Sequence, residues 1–162
     1  MTIDIKIPNA DQFSKLLAEA PQIVAGELRR ALEKGSDIIL GNAVKRTPSG
    51  ATNHLRDSIA KDVRPFEASI FSTLTYAPKV EFGSGARGDG QIPAVPVAGK
   101  ELLDWARRKL GNEGLAYPIA KVISQQGTYA HPYLNPAAED EKDRVIGFFE
   151  DALQNIVSKL AI

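Results

Sequence analysis

At 162 residues the chain suits one domain spanning 1–162 with a single core, too short for two independent domains and a linker. Apolar residues at 43% and charged residues at 25% are close to globular averages and argue against wholesale disorder. Twenty basic residues balance twenty acidic ones, which disfavours a general nucleic-acid binder, and the lack of cysteine excludes disulfides, thiolate metal sites and thiol catalysis.

The start, Met1-Thr2-Ile3-Asp4-Ile5-Lys6-Ile7, alternates polar and apolar residues and predicts a short strand ended by Pro8, with no signal-peptide character. No run approaches the ~20 apolar residues that span a bilayer, so no membrane partner is expected. Asp11 can cap a short helix through Ala20. Pro21 then fits the first position of a second helix running to about Arg46, with Val24, Leu28, Leu32, Ile39 and Ala43 on one face. Gly35 interrupts that helix and marks a bend or a close helix contact. Lys45 and Arg46 suit the negative end of its dipole, and Pro48 stops it.

After a turn-rich loop, Leu55–Ile59 leads into two strand-like runs, roughly Ile59–Phe66 and Ser69–Thr75, an antiparallel pair joined near Glu67-Ala68. The stretch 83–99 carries Gly83, Gly85, Gly88, Gly90, Pro93, Pro96 and Gly99, has no helical period, and is expected to be the least ordered part of the chain. Lys100–Leu110 reads as a helix ended by Gly111. Leu115–Gln126 reads as another that tolerates Pro118 only in its first turn. In the closing helix Ile146, Phe149, Leu153, Ile156 and Leu160 alternate at three and four residues. Glu139, Asp140, Glu141 and Asp143 are expected to crowd its first turns, where the dipole favours anions.

Catalytic patterns are weak. Gly83-Ser84-Gly85-Ala86-Arg87-Gly88 spells a dinucleotide-binding glycine pattern, but Asp89-Gly90-Gln91-Ile92-Pro93 follows where a helix must begin to receive a pyrophosphate. Ser84 lacks the outer glycines of a nucleophile elbow, because Phe82 and Ala86 hold those positions. His54 and His131 have neither metal-ligand spacing nor a cysteine to complete a zinc site. Glu139 and Asp143 lie one turn apart and could share a proton or a cation, though a solvated helix start explains them better. Arg87-Gly88-Asp89 is read as a chance tripeptide, and Trp105, Phe148 and Phe149 as packing residues. No catalytic residue, metal ligand or cofactor is assigned.

The order of motifs is more telling than any one of them. A helix ends in Thr47-Pro48, then come Gly50, Leu55-Arg56-Asp57-Ser58-Ile59, two strands, Tyr76-Ala77, Val80-Glu81-Phe82-Gly83, a loop, Gly127, Pro132-Tyr133-Leu134, and Pro136-Ala137 entering the last helix. From about residue 20 to the end this resembles the gene-product-ten-like neck and tail-completion proteins of long-tailed bacteriophages. The resemblance implies an α+β subunit in which a long helix and a C-terminal helix pack on a small antiparallel sheet. It further implies a virion protein at the neck or tail top, assembled in the host cytoplasm as a homo-oligomeric ring of six copies. Its partners would be the head connector and the tail-tube or tail-terminator proteins, with DNA passing through the lumen without specific contacts. Tyr76, Glu81, Phe82, Gly83 and Arg87 would then shape the loop base or the subunit interface. Pro132, Tyr133, Leu134 and Pro136 would anchor the approach to the last helix. Two readings from other classes stand beside it: a small hydrolase using Ser84 or a helix carboxylate, and a host-directed binding module.

Overall fold

A computed structural model describes residues 10–50, 52–88, 90–94 and 100–160. The expected strand at Ile3–Ile7 lies outside them. In chain order come α1 (Ala10–Arg46), α2 (His54–Asp57), β1 (Ile59–Arg64), β2 (Glu67–Ser72), α3 (Ala77–Phe82), a 3-10 turn at Gly85–Arg87, α4 (Lys100–Leu110), a 3-10 turn at Glu113–Leu115, α5 (Ala116–Gln126) and α6 (Leu134–Leu160). The class is α+β, helices with one antiparallel hairpin.

Three local expectations change. The backbone stays helical through Pro21, so the two predicted N-terminal helices are one. An internal proline costs one hydrogen bond and about 3 kcal/mol, a local deficit that an element of 37 residues can absorb. The hairpin is shorter than predicted and turns at Pro65-Phe66, because Pro65 has no N–H to continue the ladder of β1. The last helix begins at Leu134, leaving its first turn without any acidic residue. Asp140 and Glu141 lie further along, where Asp140 pairs with Arg46 and Glu141 accepts from Asn42 at 3.0 Å. They cannot be what satisfies the start of the helix.

Contacts gather the residues into two compact units. One comprises Asp37–Lys61 and Ile70–Glu141. Its apolar cluster is Leu55, Ile59, Ala77 and Tyr133, with Leu40, Val44, Ile70, Leu74, Val80 and Leu134 packed around it. The second half of α1, both strands, α3 and the start of α6 therefore meet in one core. Thr47 closes α1 within it, its buried hydroxyl donating to the Ala43 carbonyl at 2.6 Å.

The other unit takes the described residues up to Ser36, Asp62–Ser69 and those from Lys142 on. Here α1 and α6 run antiparallel. A Cβ on Gly35 would stand 3.2 Å from Val145 Cγ1, so the glycine marks a close helix contact. Nearer the start of α1, Lys34 lies over the Phe148 ring. Glu27, almost wholly buried, accepts from Arg30 at 2.6 Å and from Lys159 at 2.7 Å. The Lys159 hydrogen bond, reinforced by the charges of Lys159 and Arg30 and opposed by burial, holds the Glu27 carboxyl below its ordinary 4.5.

A carboxylate with a lowered native pKa contributes stability that is complete above its unfolded value and is lost as pH falls through the native one. Wild type should therefore exceed Glu27→Gln in urea midpoint at pH 7, with the gap closing as pH drops below 4.5. Urea titrations from pH 7 to 2 test this, and a gap that persists unchanged to the acid end would remove the ionic account of Glu27.

Candidate functional site

α3 is only six residues long, and its ends are set locally. Pro78 sits in its first turn, where no N–H is needed, and the Lys79 and Val80 N–H groups donate to the Tyr76 carbonyl. Gly83 ends it at φ +74, a left-handed conformation that side chains rarely adopt. This short helix points Val80 into the core and carries Glu81, only 4% exposed.

A buried carboxylate between Val80 and Phe82 would be costly without partners, and its partners are the start of α6. Glu81 Oε2 accepts from the N–H of Tyr133 at 2.7 Å and of Leu134 at 2.9 Å, while Oε1 accepts from the N–H of Asn135 at 2.8 Å. The first N–H groups of a helix have no intrahelical acceptor and form the positive end of its dipole. Here they are capped by a charge 52 residues away in sequence. Hydrogen bonds to an ionised group are worth about 1.5–3 kcal/mol each, enough collectively to offset the several kcal/mol of burying the charge.

Beside this clamp, the segment before α6 runs against the end of α3. His131 N–H donates to the Val80 carbonyl at 2.7 Å. Ser84 and Thr128 exchange both backbone hydrogen bonds, at 2.9 and 3.1 Å. Gly127 makes the approach feasible, since a Cβ there would fall 1.7 Å from the Ser84 carbonyl oxygen. The 83–99 stretch is thus not wholly irregular. It opens with a 3-10 turn, and Gly85 N–H donates to the Ile92 carbonyl at 2.7 Å. Arg87 then lies 5.0 Å above the ring of exposed Tyr129.

The predicted residues divide accordingly. Glu81 meets the backbone of Tyr133 and Leu134, Gly83 leads into the Ser84–Thr128 pair, and Tyr76, Phe82 and Pro132 are exposed. Pro136 is half-buried within the first turn of α6. Tyr133 is 0% exposed. Its hydroxyl has no hydrogen-bond partner among the described residues. Burial first, then the charges of Glu81 and Tyr76, push its pKa above the ordinary 10.

Ser84, the candidate nucleophile, is 2% exposed, and its hydroxyl lies 3.1 Å from that of Thr128. Sequence reasoning missed Gly127, Thr128 and Tyr129 as partners of the glycine loop, and Glu81 as the helix cap. A signal for the cap existed. His131-Pro132-Tyr133 supplies none of the Ser, Thr, Asp or Asn that ordinarily begins a helix, so an acceptor had to come from elsewhere. Among the described residues no cluster of three His, Cys, Asp or Glu could hold a metal, and no helix is long and apolar enough to cross a membrane.

Residues 11–83 match the HK97-gp10-like family model, described as "Bacteriophage HK97-gp10, putative tail-component". Over α1, the hairpin and α3 the chain is therefore similar to a family of structural phage tail components. Neither curated proteins nor solved structures give a match.

Glu81→Ala should lower stability by about 3–5 kcal/mol, since it leaves three helix-start donors buried without an acceptor. Glu81→Gln, which keeps the shape but loses the charge, should cost about 1–3 kcal/mol. Urea unfolding gives the magnitudes, and amide exchange at residues 133–135 gives the cause. Unchanged exchange there in either variant would show that Glu81 is not the cap.

Proposed function

We propose that this chain is a structural subunit of the phage head-to-tail junction, a neck or tail-completion protein that assembles as a ring of six copies around the DNA channel. Its neighbours are then the head connector on one side and the tail-tube or tail-terminator protein on the other, and its place is the virion after assembly in the host cytoplasm. The observation that carries this reading is the family match over residues 11–83. The matched segment closes just past Glu81, the residue that holds the start of α6, so the part resembling a tail component is physically tied to the rest of the core. An electrically balanced chain also suits a lumen through which DNA must slide, because many phosphate contacts would retain the duplex.

In this reading Tyr76, Phe82 and Arg87, with the glycine loop after Gly83, face neighbouring subunits. Pro132, Tyr133, Leu134 and Pro136 form the internal anchor that fixes where α6 starts. Closing a ring by head-to-tail contact requires two different complementary faces on each copy.

Two measurements test the proposal. Mass determination of assembled necks or tails should find six copies per particle, and a single copy would overturn the ring. Leu134→Ala should lower the stability of the isolated subunit by about 2–4 kcal/mol. Full stability with lost incorporation into particles would move Leu134 from the anchor to an interface.

A further inference from the structure

Although the whole chain is neutral, its two sets of unpartnered apolar helix faces carry opposite charge. On α6, Ile146, Leu153 and Val157 are exposed, Leu153 by 57%. At 100° per residue they and Glu150 fall within about 60° of arc and extend about 17 Å along the helix. The buried face of the same helix is a different one, marked by Ala152 and Ile156. Over 134–160 six carboxylates face three cations; exposed Asp143 and Glu150 lie along one side of the stripe and exposed Lys142 along the other.

A second set of exposed apolar residues lies on the neighbouring helices α4 and α5. Leu103 and Leu110 are exposed seven residues apart on α4, and Leu115 and Val122 repeat that spacing into α5. Two turns of α4 separate Leu103 and Leu110, so they lie along one side, while Leu115 closes the 3-10 turn ahead of α5 and Val122 lies within α5. Over 102–126 four cations face two carboxylates, with Lys109 and Lys121 exposed. Each supplies an apolar centre on a segment whose net charge is opposite in sign to the other's.

We infer that the α6 stripe of one copy docks on the α4–α5 face of the next, with Ile146, Leu153 and Val157 against Leu103, Leu110, Leu115 and Val122, and Glu150 toward the lysines. The occupant is a second copy because one chain presents both complementary faces, and two different faces make a head-to-tail contact that continues from copy to copy. This rests on the ring reading above and assigns the surfaces that would make it.

The experiment uses the full chain. Leu153→Asp and Leu110→Asp each disable one face at an exposed position, so helix content and thermal midpoint should stay at wild-type values. In sedimentation at rising concentration, each variant alone should self-associate at least ten-fold more weakly than wild type. An equimolar mixture should recover association but stop at two chains, since only one pair of intact faces remains. Should self-association be too weak to sediment, the cysteine-free sequence permits a covalent readout. Glu150→Cys mixed with Lys121→Cys should give mixed disulfide dimers in clear excess over either variant with itself. Variants that associate like wild type, a mixture that gains nothing, or cross-linking without mixed excess would each overturn the assignment. Particles that carry six copies and still incorporate Leu153→Asp would sink this interface while leaving the ring intact, whereas one copy per particle would sink the ring itself.

Discussion

The fold depends on a single ionised side chain inside the core. The start of α6 has no cap of its own, and the chain that enters it, His131-Pro132-Tyr133, offers none of the short Ser, Thr, Asp or Asn side chains that ordinarily cap a helix. Glu81 supplies both missing quantities at once: acceptors for three N–H groups and a negative charge at the positive end of the dipole. The arrangement is reciprocal. Without α6 the Glu81 carboxylate would be a buried charge with nothing to hold, and without Glu81 the helix start would be buried with its donors unmet.

Everything around the clamp serves to bring the carboxylate to that point. Gly83 turns the chain out of α3, Ser84 and Thr128 lock the two segments side by side, and Val80 bonds to His131 one step before the cap. Tyr133, wholly buried next to the helix start, fills the space between α1, the hairpin and α3. The residues with polar chemistry that drew attention in the sequence are thus largely engaged with the protein itself. Ser84 in particular is bonded to Thr128 through backbone and side chain alike.

Much of this was legible before any coordinates. Periodicity placed α4, α5 and the end of α1, because apolar spacing and terminal Gly or Pro are local signals. Gly35 was readable as a close contact since nothing else explains a glycine in a helix interior. What failed were inferences in which a local rule was applied to a problem solved at a distance. The acidic run at 139–143 looked like a dipole complement, while the true complement came from another helix. Pro21 looked like a boundary, yet propensity was outweighed by the turns on both sides. Likewise Ile146 and Leu153 fit the apolar period of α6 and remain exposed, because a period reports which face is apolar and not what lies against it.

The remote cap also bears on how the chain folds. The interior turns of α6 can nucleate by themselves, but its start is satisfied only by a contact across 52 residues. The entropy of closing such a loop is spent before the reward arrives, which slows folding and makes the last helix a late element. On a chain emerging from the ribosome, α3 is available well before its partner, so its carboxylate stays hydrated until residues 133–135 follow. The core around Glu81 is then complete only after residues 133–135 have joined it.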